Sequence, residues 1–135
     1  MFRQAVRRKE HHSQRTAALI VDNWEPQATD ETAGVEFGQV AIAKTFTGEV
    51  EGTSSVETLT AGTETSRAYV AFEGLDVAFH GGEGTFVLHH TASDAGMTLR
   101  ILNGSGACEL AGISGAAEIV NDDGAHAFIF TYELL

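Results

Sequence analysis

The sequence predicts an all-β protein that folds as a small, closed, antiparallel barrel of about eight strands. Short runs of β-branched and aromatic residues follow one another along the 135 residues, separated by glycine and aspartate turn signals. Beyond the first fifteen residues, apolar side chains do not recur at helical spacing over three turns. Fourteen of the fifteen glycines lie beyond Gly34, inside strands as well as at turns, which favours the sharp coiling of a closed barrel over a flat sandwich.

The strands can be assigned in order from the N-terminal side. The first is TAALIVDNW (16–24), and the only proline, Pro26, is expected to close it and to begin a polar loop that runs to Gly34. The second is VEFGQVAIAKTFTG (35–48), in which one face at period two carries three apolar side chains and one lysine. These four residues are Val40, Ile42, Lys44 and Phe46.

The remaining strands are bounded by equally clear turn signals. They are GTSSVETLTAG, RAYVAFEGLDVAFHGG, EGTFVLHHTASD and MTLRILNGSG, followed by a C-terminal hairpin of AAEIV and AHAFIFTYELL around the turn at 121–124. Before that hairpin, NGSGACELAGISG (103–115) holds four glycines. We interpret this segment as a tight corner at the barrel rim, because the helix start and lysine of a phosphate-binding loop do not follow it.

Charge and cysteine content exclude several classes of protein. The first fifteen residues hold five basic residues and one acidic one, whereas residues 16–135 hold three basic and eighteen acidic ones. Residues 16–135 are therefore too acidic to present the basic face that nucleic-acid binding requires. The single cysteine, Cys108, cannot form an intramolecular disulfide and is expected to be buried. No apolar run reaches the roughly 18 residues of a membrane span, so a soluble cytoplasmic protein is expected.

The domain organisation follows from the same uneven distribution of charge. Residues 1–15 are predicted to be a basic, disordered N-terminal extension, and residues 16–135 a single barrel domain. No cofactor is predicted. Self-association into a homo-oligomer remains open.

Alternation along the strands points to four candidate cavity residues. Tyr69 and Glu73 share one face of their strand, His90 shares a face with apolar neighbours in the next strand, and Tyr132 lies on an aromatic face of the last strand. We expect these four side chains to line one internal cavity. A carboxylate beside an imidazole on an apolar wall suits either the orientation of a small ligand or acid–base chemistry.

Lys44 and the adjacent pair His89 and His90 are further polar positions that could take part in a site. Lys44 lies on an apolar face, where it either pairs with a carboxylate or extends out of the strand end. His89 and His90 are adjacent in a strand and point to opposite faces, so no metal site is predicted there. No residue is assigned a catalytic role, because no nucleophile–base pair is evident.

Several segments together resemble the bacterial family called domain of unknown function 3224. They are the strand end at Trp24, KTFTGEVEGTS (44–54), AYVAFE (68–73), GTFVLHH (84–90), GSGACELAGISG (104–115) and HAFIFTYEL (126–134). The resemblance implies an allene-oxide-cyclase-like, calycin-like barrel with a central cavity. Phe128 stands where the family usually has tyrosine, and no catalytic residue of the cyclases can be placed on this chain.

Three functions are consistent with these observations. The first is a barrel that binds one small, mostly apolar molecule in its interior. The second is an enzyme of the isomerase or cyclase type that uses the same cavity. The third is a structural or interaction protein whose barrel is filled with side chains.

Overall fold

The computed structural model describes residues 13–80, 82–122 and 124–134, and this part of the chain contains strands and turns without any helix. Accordingly, none of these residues belongs to a helix that could cross a membrane. The strands are β1 (Ser13–Thr32), β2 (Val35–Gly48), β3 (Val50–Gly62), β4 (Arg67–Phe79), β5 (Gly82–Ser93), β6 (Gly96–Ile101), β7 (Ala107–Cys108), β8 (Ile113–Asp122) and β9 (Ala125–Leu134).

Eight of these strands close into an antiparallel barrel, which confirms the predicted fold class. Each strand from β1 to β5 pairs with the next, β6 pairs with β8, and β8 pairs with β9. Pairing of β9 with β1 completes the circle, with Ser13 opposite Tyr132 and Leu19 opposite His126. The two-residue strand β7 is an additional strand that pairs with β5.

Strand β1 is longer than the sequence predicts, and the predicted loop from Pro26 to Gly34 is wrong. The strand continues to Thr32 and pairs with β2 through two register shifts, between Val21 and Asn23 and between Pro26 and Ala28. β9 pairs with β1 only as far as Leu19, so the rest of β1 is bonded along one edge only, where a proline is tolerated. Each bulge takes up one extra residue and increases the twist.

The start of β1 also differs from the predicted domain boundary. The sequence predicts residues 13–15 as part of the N-terminal extension, whereas in the structure they pair with β9 as part of the barrel. The rest of that extension, residues 1–12, lies outside the described residues.

One end of the barrel interior is filled with aromatic rings. Phe86 stacks on Phe130 at 5.4 Å between ring centroids, and Phe79 meets Tyr132 edge-on at 4.8 Å. The corner between β6 and β8 lies over this end and contributes Leu110, which is fully buried. This end is therefore closed by packed side chains.

The corner itself has the tight geometry that its glycines predict. Backbone hydrogen bonds run from Leu110 N to Ala107 O and from Ile113 N to Leu110 O. A Cβ added to Gly106 would lie 2.0 Å from the carbonyl oxygen of Leu110, so no side chain fits there. Cys108 is exposed, contrary to the prediction, because β7 lies at the rim and Cys108 adopts a left-handed conformation with φ of 61°.

We predict that Gly106→Ala destabilises the protein by about 2 kcal/mol or more, the upper range for forcing an extra methyl group into a packed site. Gly74→Ala is the matched control, because a Cβ at this strand glycine meets no atom within 4 Å. Urea unfolding measures both variants. Equal stability of the two would show that the corner is a flexible loop that can move aside.

Candidate functional site

Four polar side chains meet inside the barrel, one from each of four adjacent strands. Lys44 lies on β2, Ser54 on β3, Glu73 on β4 and His90 on β5, and all four are buried. Each alternates with outward-facing neighbours, so the period-two pattern brings all of them to the inner face. We call this group the Glu73 cluster.

The carboxylate of Glu73 is the centre of the cluster. Its Oε1 accepts a hydrogen bond from Lys44 Nζ at 3.3 Å and lies 2.7 Å from His90 Nε2. Its Oε2 accepts a hydrogen bond from the Ser54 hydroxyl at 2.5 Å. Both oxygens are therefore occupied, and the predicted approach of Glu73 to His90 is present in the structure.

The registers of the neighbouring strands explain why these side chains converge. Leu88 is directly opposite Glu73, so His90, two positions further along β5, reaches the carboxylate diagonally. On the other side, Leu75 is opposite Ser54, and Ser54 is opposite Lys44. Of the two alternatives for Lys44, the structure shows the ion pair rather than an extended side chain.

The cluster holds Glu73 in its charged form. Burial raises the pKa of the carboxyl group, but the hydrogen bond from His90, the charge of Lys44 and the hydrogen bond from Ser54 outweigh it, and the pKa lies below the ordinary 4.5. Glu73 in turn affects Tyr69. Burial raises the pKa of the Tyr69 hydroxyl, and the nearby negative charge of Glu73 adds to that effect.

The structure brings Tyr69 to the cluster but not Tyr132. The Tyr69 ring lies 6.4 Å from the His90 ring, centroid to centroid. Tyr132 packs at the closed end of the barrel, against Phe79 and Phe130, with the Arg15 guanidinium 6.0 Å from its ring. Phe79 is six residues beyond Glu73 on β4, which corresponds to roughly 20 Å along the strand.

The opposite end of the barrel is open and apolar. Val21 lies opposite Lys44, Trp24 opposite Ile42, and Met97 opposite Ala92, all on inner faces. Even so, the exposures of Val21, Trp24 and Met97 range from 42 to 59 %. Water therefore reaches the inner surface here. We call this opening the mouth, and its side chains are Val21, Trp24, Ile42, Tyr69 and Met97.

The sequence alone does not indicate that Val21 and Trp24 of β1 belong to the mouth. The bulge between Val21 and Asn23 changes the phase of alternation, so period-two counting through TAALIVDNW places Trp24 on the wrong face. A bulge of this kind has no reliable signature in a single sequence.

The cluster leaves a few polar atoms that a ligand could engage. Among the described residues, Lys44 Nζ makes one hydrogen bond and His90 makes one, through Nε2. The ammonium therefore keeps two donors, and a neutral imidazole that donates Nε2–H to Glu73 keeps Nδ1 as an acceptor. The buried hydroxyl of Thr58 has no partner within the described chain. Within the part of the chain that the structure describes, no group of three or more His, Cys, Asp or Glu side chains is placed to hold a metal ion.

We predict that Glu73→Gln destabilises the protein by about 3 kcal/mol at neutral pH, because it leaves the Lys44 ammonium buried without its counter-charge. The folded-state pKa of Glu73 is lowered, so its stabilising contribution is complete above the unfolded pKa and disappears as pH falls through the folded value. The stability difference between wild type and Glu73→Gln should therefore shrink below about pH 4.5.

Urea unfolding across a pH series measures this difference. Asp76→Asn serves as the control, since Asp76 is an exposed carboxylate on the outer face of the same strand. A difference for Glu73→Gln that stayed constant into acid, or that matched Asp76→Asn, would contradict a charged and paired Glu73.

Comparison with known proteins agrees with this architecture. The sequence profile of the family described as "Protein of unknown function (DUF3224)" matches residues 16–132. A crystal structure of a DUF3224-family protein of unknown function from Shewanella oneidensis MR-1 is 32% identical, with a TM-score of 0.82 over 92% of this chain and 98% of that one. No curated protein matches the chain. The predicted resemblance is thus confirmed, and the chain belongs to the DUF3224 family.

Proposed function

We propose that this protein binds one small, mostly apolar molecule in the mouth of its barrel, with the polar end of the molecule directed at Lys44 and His90. The observation that carries the proposal is the Glu73 cluster at the base of an open apolar mouth. A few convergent polar groups beneath apolar walls are the usual composition of a small-molecule site.

Within this site Glu73 is a positioning residue. It is 0 % exposed and both of its oxygens already accept hydrogen bonds, so its own donors separate it from a ligand in the mouth. Its role is to hold the Lys44 ammonium and the His90 ring in place and to set the charge around them. Lys44 and His90 then offer donors, and in neutral His90 one acceptor, to the ligand.

The walls supply the apolar part of the site. Trp24 and Met97 provide large, polarisable surfaces that water now covers, and Val21 lies beside Lys44 on the neighbouring strand. Burial of such surface by a ligand is favourable by about 25 cal/mol per Å² of apolar area. Tyr69 lies between the apolar walls and the polar base of the site, because its ring packs near His90 while the residue remains partly exposed.

A second candidate function is an isomerase or cyclase that uses the same site. The 2.7 Å contact between Glu73 and His90 favours it, because a carboxylate that orients an imidazole is the arrangement general acid–base catalysis uses. In that case His90 Nδ1 would move a proton on the bound molecule. Conversion of the molecule by wild type but not by His90→Gln separates an enzyme from a binding protein.

We predict that protein purified from its own source carries one small molecule per barrel, visible as a discrete mass increment in native mass spectrometry. Lys44→Met should lose most of this increment, because it removes the ammonium at the base of the mouth while retaining the bulk of the side chain. The emission of Trp24, the only tryptophan, should shift when the compound is extracted and added back.

Val120→Ser is the matched control for these measurements, because Val120 is exposed on the outer face of β8, where its side chain points away from the barrel interior. It should retain the mass increment and the Trp24 response. Absence of any increment from wild type, or its full retention in Lys44→Met, would favour the filled-barrel, structural function.

A further inference from the structure

The outside of the barrel carries a second apolar surface, distinct from the mouth. Phe37 on β2, Leu59 on β3, and Val70 and Phe72 on β4 are between 46 and 53 % exposed. They point outward, because their strand neighbours Thr58 and Ala71 are buried inside. We call these four side chains the apolar outer face.

Strand register makes this face continuous. Leu59 is directly opposite Val70, and Phe37 is opposite Ala61, which is itself opposite Ala68. Cross-strand neighbours lie about 5 Å apart, so the large side chains form a ridge next to a depression over the two alanines. The depression has a volume of about 460 Å³, and no charged side chain lines it. In a chain of net charge −11, so large an uncharged area is notable.

The sequence of β4 independently indicates that this face is covered. Residues 68–72, AYVAF, are five consecutive apolar or aromatic residues. In a strand with one solvent-exposed face, apolar residues instead alternate with polar ones. Continuous apolar runs are typical of strands buried on both sides. The barrel interior covers only one side of β4. A contiguous patch of this kind on a soluble protein marks an interaction surface.

We propose that a second copy of this chain packs on the apolar outer face to form a two-fold symmetric dimer. A two-fold interface must be complementary to itself, because the same patch contributes to both sides. This face meets that condition, since the ridge of Leu59 and Val70 from one copy can enter the alanine depression of the other. Two sheets packed in this way lie about 10 Å apart, with their side chains interdigitated.

The area and the charge of the face also fit a second copy. Adjoining depressions extend from Ala28 on β1 to Ser93 on β5. Five strands about 4.8 Å apart, each contributing about six residues of roughly 3.3 Å, form a face of roughly 20 by 20 Å. This projection covers roughly 400 Å², and side-chain relief raises its accessible area toward the ~800 Å² per partner of a standard interface. The depression over the alanines presents no carboxylate to a basic partner, and two identical copies that meet over it leave Asp30 on β1 and Glu57, opposite Phe72, at the edge of the face.

The charge of the copies gives the dimer a diagnostic salt dependence. Two acidic copies repel each other at long range, so added salt screens the repulsion and should lower the dimer dissociation constant. A complex held by opposite charges would respond in the opposite direction. The outer face does not include the mouth, so the dimer and ligand binding are tested separately.

The test is sedimentation equilibrium of the full chain across a wide range of protein concentration, at low and high salt. We expect wild type to dimerise more tightly at high salt. Val70→Glu should raise the dimer dissociation constant at least about tenfold, because a carboxylate would be buried at the centre of the interface. Val120→Glu is the matched control, since Val120 is 42 % exposed on β8 and lies outside the apolar outer face, so it should dimerise like wild type.

A second variant keeps the test decisive if Val70→Glu does not fold. Ala68→Arg places a large charged side chain over the depression at an exposed position, and it should likewise raise the dimer dissociation constant at least about tenfold while keeping the circular dichroism spectrum of wild type. A monomeric wild type throughout the concentration range would overturn the proposal. Dimers of both Val70→Glu and Ala68→Arg with wild-type dissociation constants would overturn it too, as would a dissociation constant that rises with salt.

Discussion

The buried carboxylate of Glu73 is the constraint on which the rest of the barrel interior depends. A charge removed from water is tolerated only when it is paired and hydrogen-bonded, and the donors for Glu73 come from three other strands: Lys44, Ser54 and His90. They reach the carboxylate only when β2 to β5 pair in the observed registers. A shift of one residue in any of these strands would turn its donor to the outside. The cluster thus discriminates against the wrong registers as well as forming a site.

The cluster also divides the interior into two parts with different properties. Toward the β6–β8 corner, stacked rings such as Phe86 and Phe130 fill the barrel. Toward the other end, the inner faces of β1 and β6 remain exposed at Trp24 and Met97. The packed end supplies apolar burial and rigidity, and the open end leaves apolar inner surface exposed to water. A polar base between a rigid half and an open half is well suited to orient a small molecule.

Strands β3 and β4 take part in both proposed sites, one on each of their faces. Their inner faces hold Ser54 and Glu73, and their outer faces hold Leu59 and Val70. One hairpin therefore connects the polar base of the mouth with the apolar outer face. Because period-two alternation keeps the two sets of side chains apart, a substitution on one face leaves the packing of the other largely intact.

The sequence by itself determined the fold class, the closed eight-stranded barrel and the inward direction of Glu73 and His90. These features depend on alternation and turn chemistry, which are local, and β4 and β5 pair without a register shift. The tertiary structure decided the ion pair of Lys44, the position of Tyr132, the exposure of Cys108 and the place of Trp24 at the mouth. Alternation determines which face of a strand a side chain occupies, but its height in the barrel depends on registers between strands distant in sequence. In β1, the two bulges change even the face, and their positions arise from pairing with β2 rather than from the sequence of β1 alone.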